Sequence, residues 1–234
     1  MAMNRRDFLR ISAALTAAGM SPSLFAATKE QFTIYGAPAM PSVTIAVAAA
    51  QGKLAKQADV ALEIWRSPDQ LRAGVASGQF KVMMSPSNVG VNLRNQGQQV
   101  GMVNILTNGI TQLMCKSTPI TSPQELVGKK ILVPFKNDMP DIVLQALLKK
   151  LNIDINKVEI TYAATPTEAI GLFLLKDFHA AILPEPMASA VVQKAKIVGT
   201  EIVRGFDLVK EWGQAFNTKP LIPMAGIIAN EEYF

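Results

Sequence analysis

The stretch "SPDQLRAGVASGQFKVMMSP", Ser67 to Pro86, decides the fold class, because it is a complete helix–turn–strand unit with its own punctuation. Ser67-Pro68-Asp69-Gln70 fits the S/T-x-x-E/Q box, in which the hydroxyl caps an orphan amide, proline takes the first helical position and glutamine reaches back. Leu71 and Val75 fall on one helical face at a spacing of four. Gly78 ends the helix, and the apolar "KVMM" reads as a strand that runs into Ser85-Pro86, the opening of a further helix.

Thr165 to Pro186, "TPTEAIGLFLLKDFHAAILPEP", follows the same plan. Thr165-Pro166-Thr167-Glu168 is a second box, and Ile170 and Leu174 share a face. Lys176-Asp177 stops the helix, and "HAAIL" is a strand ending at Glu185-Pro186. Phe80 and Phe178 each lie thirteen residues after their cap. A third box, Ser122-Pro123-Gln124-Glu125, predicts a short helix before the strand in "LVGKKILVPF". Helices and strands alternating at this spacing imply parallel sheets covered on both faces, and the shared phase implies two similar lobes.

Composition fits that reading. The chain has 234 residues, 49% apolar and 18% charged, so it forms a core. Its length permits one large domain or two lobes of roughly a hundred residues each. After the N-terminal segment, Gly, Pro or charge breaks every apolar run short of the roughly 18 residues that a spanning helix needs. Cys115 and His179 are the sole residues of their types. A disulfide within the chain, a cysteine-based cluster, a histidine metal site and a multi-histidine triad are therefore excluded by counting. Cys115, in the apolar "ITQLMCK", reads as a small buried hydrophobe.

The first residues, "MAMNRRDFLRISAALTAAGMSPSLFAATKE", place Arg5 and Arg6 together, then Phe8-Leu9 and an Ala-rich stretch ending in small residues. This order resembles a twin-arginine export signal over residues 1–26, although Asn4 stands where Ser or Thr is commoner. Retention as a membrane anchor is the alternative, and a basic amphipathic helix lying on a membrane is the plainer one. Loss of residues 1–26 removes Arg5, Arg6, Arg10 and Asp7, so 23 basic and 18 acidic residues become 20 and 17, a net +3. No dense basic stripe with interleaved aromatics remains, which gives no case for nucleic acid.

In open α/β sheets, ligands sit beyond the C-terminal strand ends. Here those ends are "YGAPAMPS" (35–42), "SPSN" (85–88), "PFKNDMPD" (134–141) and "LPEPM" (183–187). Each offers helix-start amides to a polar or anionic ligand, although ordinary capping explains any one of them alone.

On these residues the chain resembles a type II periplasmic substrate-binding protein of an ABC importer, in the nitrate/sulfonate/taurine-binding (SsuA/NMT1-like) group. "WRSPDQLRAGVASGQFKVMMSPSNVGVNLRNQG", "SPQELVGKKILVPFKNDMPD" and "AAILPEPMAS" carry the resemblance, which spans 30–234. It implies an α/β fold of two lobes, each a mostly parallel sheet flanked by helices. Lobe 1 would hold 27–108 plus 222–234 and lobe 2 would hold 109–221, with hinge crossovers near 109–117 and 222–230. It also implies C-terminal helices beyond "NEEYF" that are missing here, leaving apolar surface uncovered.

The implied protein is a monomer without cofactor or metal that closes on a small-molecule ligand and docks on a membrane permease. Gly36 and Pro38 would let backbone approach the ligand. Ser85, Ser87, Asn88 and Asn108 would face it from lobe 1, and Lys136, Asn137, Asp138 and Glu185 from lobe 2. Asp138 is also suited to cap the helix starting at Met139. Lys136 and the helix ends favour an anion, whereas Asp138, Asp141 and Glu185 favour an amine or a neutral heterocycle. Trp65 and Trp212 are candidate stacking platforms, with core packing the plainer role for Trp65. A pyrimidine-synthase-like enzyme, a transcription-factor effector domain and a sensory binding protein share the fold and are the alternatives. The low His and Cys content argues against the first and the export signal against the second.

Overall fold

Ten strands form two five-stranded sheets in the computed structural model, which describes residues 30–52 and 56–233; the signal expected over 1–26 lies outside them. The first sheet contains β1 (Glu30–Gly36), β2 (Ala58–Ile64), β3 (Val82–Pro86), β4 (Val100–Asn108) and β10 (Pro223–Asn230). The second contains β5 (Thr111–Lys116), β6 (Lys130–Pro134), β7 (Glu159–Ala163), β8 (Ala180–Pro184) and β9 (Ile202–Arg204).

Their orders are β2-β1-β3-β10-β4 and β7-β6-β8-β5-β9. In each sheet four strands share one direction and a single strand, β10 or β5, opposes them. The repeat read in the sequence is thus a repeat of architecture. The opposing strand of each sheet is the one that follows a passage between lobes: β5 directly after β4, and β10 on the return.

Local chemistry explains the helices. Among them, α1 spans Pro41–Gln51, α2 Pro68–Ala76 and α3 Ser87–Asn95. In the second lobe, α4 spans Met139–Lys150, α5 Pro166–Leu175, α6 Met187–Ile197 and α7 Leu208–Phe216. Ser67 Oγ accepts the Gln70 amide at 3.3 Å and Thr165 Oγ1 accepts the Glu168 amide at 3.1 Å, so both boxes cap as expected. The third box does not. Pro123–Leu126 is a 3₁₀ turn, and the Ser122 hydroxyl donates to Glu125, whose carboxylate also takes the Thr121 hydroxyl at 2.6 Å. Spent on its neighbours' hydroxyls, that carboxylate closes a turn instead of opening a helix.

Ile131, Leu132 and Val133 on β6 are fully buried, as an apolar run covered on both faces must be. Leu144, Leu147 and Leu148 of α4 pack on one side of this sheet, and Ile170, Phe173 and Val191 on the other. In the first lobe, Leu71, Val75, Val89 and Leu93 pack on Met83 and Met84. A smaller cluster of Met139, Val143, Ile222 and Met224 sits where α4 meets the return to β10. At the sheet's outer edge β4 leaves Met102, Val103, Ile105 and Leu106 exposed. Cys115 is fully buried, and burial pushes its thiol above the usual range.

Candidate functional site

The C-terminal strand ends of both sheets converge on one cavity of about 60 Å³. From the first lobe come Ala37 and Pro38 after β1, Trp65 after β2, and Met84 and Pro86 of β3. From the second come Phe135 after β6, Pro184 at the end of β8, and Met139, Pro140 and Pro166 at helix starts. The two passages complete it with Ile110 and Thr111 at the start of β5 and Met224 and Ala225 on β10. All four turns singled out in the sequence contribute, and they share a single gap.

Its chemistry differs from what those turns suggest. Of the ten residues expected at the ligand, Pro38 alone lines the cavity. The others lie outside its lining, and several are bonded within the protein. Gly36 sits on β1, where its carbonyl accepts the Trp65 amide at 3.0 Å. Ser85 is fully buried and its hydroxyl donates to the Pro86 carbonyl at 2.9 Å, while the Ser87 hydroxyl donates to the Pro223 carbonyl at 2.7 Å. Asn108 closes β4 opposite Pro223. The Asn137 amide donates to Asp141 Oδ2 at 2.8 Å, and Lys136 Nζ lies 5.2 Å from the Tyr162 ring centroid.

Asp138 is the main departure. It occupies the N-cap position of α4 without making a side-chain cap bond. Its carboxylate instead accepts Arg72 Nη2 at 3.0 Å and Asn88 Nδ2 at 3.3 Å, both from the first lobe. Burial raises its pKa above the ordinary 3.8, with Arg72 and Asn88 opposing. The lobes meet again where the Met40 amide donates to the Glu185 carbonyl at 3.3 Å. The Glu185 side chain accepts Arg204 Nη2 at 2.8 Å and the Ser189 amide at 3.0 Å. Burial pushes this carboxyl up, yet those partners hold it below the usual range.

A second, polar recess of about 260 Å³ opens at the cleft mouth, bounded by Asp69, Arg72, Lys136, Asp138 and Tyr162. Burial and the Asp141 carboxylate, 3.0 Å from its hydroxyl, push Tyr162 up to about 12, so it stays a neutral donor.

Trp65, one of the two tryptophans weighed, lines the cavity while its Nε1–H donates to the Met84 carbonyl at 3.0 Å, so it presents carbon only. Trp212 packs on Phe216 with ring centroids 4.2 Å apart, outside the lining. Phe135 and Thr111 were not expected at the site. Phe135 holds φ 59°, a left-handed conformation that a bulky residue adopts at a cost of roughly 1–3 kcal/mol and that clusters at functional positions. Nothing in the sequence marks it, because φ is set by the turn and not by the residue.

A family model described as "NMT1/THI5 like" matches residues 40–213, and one for the twin-arginine translocation pathway signal sequence matches residues 2–22. No curated protein matches the chain. The fold is similar to that of the periplasmic aliphatic sulphonate binding protein SsuA from Escherichia coli, with a TM-score of 0.66 and 16% identity over 87% of this chain. The chain spans 66% of that structure's length. An ABC transporter structure from Parabacteroides distasonis matches with a TM-score of 0.67 at 18% identity, covering 88% of this chain and 68% of its own. The alkanesulfonate-binding protein SsuA from Xanthomonas axonopodis pv. citri bound to MOPS matches at 0.62 and 15%, covering 89% and 68%. The twin-arginine signal directs the protein to the periplasm. With the match running from the first helix to α7 across both sheets, the chain belongs to the NMT1/THI5-like family.

Proposed function

We propose that the protein captures a small solute between its lobes and that the closed, liganded form docks on a membrane permease of an ABC importer. The convergence of strand ends from both sheets on one cavity carries this reading. Two lobes joined by two passages, with hinge crossovers near 109–117 and 222–230, close by rigid rotation about those passages. The lobes are 27–108 plus 222–234 and 109–221.

The reading is of a binding protein and not an enzyme. His179 Nδ1 accepts the Lys130 amide at 3.0 Å, at the strand ends opposite the cavity, and Cys115 lies in the core. Neither is positioned for chemistry on a ligand.

Two measurements test it. Thermal melts against sulfonates, nitrate, taurine and neutral heterocycles should reveal a stabilising compound, worth about 1.4 kcal/mol at ten times its Kd. No shift with any of them at millimolar concentration would remove the reading. Export is tested separately: changing Arg5 and Arg6 to Lys together should leave the protein in the cytoplasmic fraction, and unchanged periplasmic yield would contradict the twin-arginine route.

A further inference from the structure

The cavity's lining carries an inference about the ligand that rests on the solute-capture reading and narrows it. Among the described residues none that lines the cavity is charged. Five of them, Pro38, Pro86, Pro140, Pro166 and Pro184, are prolines and offer no N–H. The helix starts that would hold an anion are therefore blunted, and three nearby amides are already used. Thr165 takes the Glu168 amide, Glu185 the Ser189 amide and Asp141 the Asn137 amide.

Two neighbouring cations are also engaged, and Lys136 lies over the Tyr162 ring. Arg72 is paired with Asp69 and Asp138, and Arg204 with Glu185. The recess at the mouth sets Arg72 and Lys136 against Asp69 and Asp138, a balance with no net pull on an anion.

One polar group in the lining stands apart. Thr111 is 5% exposed, and its Oγ1 is buried without a hydrogen-bond partner. A buried hydroxyl left unpaired costs free energy that a ligand can return by bonding to it. It lies on the first strand after the passage between lobes, among Trp65, Phe135 and Met139 in the lining.

We propose that the cleft selects an uncharged solute with a compact apolar body and one hydrogen-bonding group, and that Thr111 Oγ1 recognises that group. An anion would have to give up its hydration for a surface of carbon and proline, which is unfavourable unless donors replace the lost water.

The test compares neutral and anionic probes on the full chain by calorimetry and thermal melts: benzyl alcohol and cyclohexanol against the size-matched benzoate and the smaller ethanesulfonate and nitrate. A neutral alcohol should bind at least tenfold more tightly than any anion. Thr111→Val should weaken that binding about tenfold, while Thr111→Ser, which keeps the hydroxyl, should retain it. The unliganded melting temperatures of both variants separate a folding defect from a binding one. Tighter binding of an anion than of either alcohol overturns the inference and leaves solute capture standing. Absence of binding by every probe overturns both. Alcohol binding that is equal in wild type and Thr111→Val removes Thr111 from recognition.

Discussion

Replacing Gly226 by alanine is expected to lower the melting temperature by roughly 6–12 °C, the equivalent of about 3 kcal/mol. Gly226 lies on β10, opposite Ile105 and beside an irregularity in the β10–β4 ladder. A β-carbon there would overlap the Asn104 carbonyl oxygen, and backbone cannot swing aside as a side chain can. Relief requires β10 and β4 to part, which also breaks the bond from the Ile227 amide to Asn104 Oδ1 at 3.2 Å. Gly101→Ala on the same strand pair is the control. Its β-carbon would meet only the Glu231 side chain at 3.5 Å, ordinary contact, and should change stability by less than about 0.5 kcal/mol. Equal melting temperatures for the two variants would overturn the steric account of Gly226.

The second large effect concerns the contact between lobes. Arg72→Ala should shift the balance from closed toward open by roughly 2 kcal/mol at pH 7, about thirtyfold. That is less than a fully buried pair loses, because the Arg72 side chain is 37% exposed and partly screened by water. Asp138, 3% exposed, would keep Asn88 alone as partner.

The pH dependence follows from the sign of the shift. Burial already raises the folded-state pKa of Asp138 above 3.8, so its ionisation favours the open or unfolded chain. Removing Arg72 raises it further. The penalty is therefore absent below about 3.8, grows as pH rises through the folded-state value, and is complete above it. Small-angle scattering and melts at pH 4.5 and 7.5 should show the smaller defect at the lower pH. Adding Asp138→Asn to Arg72→Ala removes the buried charge and should recover most of the loss. A defect independent of pH would mean that Arg72 acts by packing.

Both cases mark the limit of what sequence discloses. The caps at Ser67 and Thr165 were legible because donor and acceptor lie three residues apart and the geometry is local. The doubled sheet was legible for the same reason, since each helix–strand unit carries its own stop and start. Asp138 precedes Met139-Pro140 and is expected both at the ligand and as a cap, but its cation is 66 residues away in the other lobe. The polar side chains of the strand-end turns were read as ligand donors. Folding supplied nearer partners for several of them, such as the Pro223 carbonyl for Ser87, and left Thr111, in the strand expected as a hinge crossover, with none.

The placement of β10 between β3 and β4 also has a consequence for synthesis. The second sheet is assembled from one uninterrupted segment, whereas the first lacks the strand that joins β3 to β4 until residues 223–230 are made. At roughly 5–20 residues per second, translation separates β4 from β10 by on the order of ten seconds. During that interval the later lobe's five strands are made one after another while the earlier lobe waits, its β3 and β4 edges bare. The second sheet therefore has its full set of strands before the first does, and a chaperone that shields unpaired edges would act on residues 82–108.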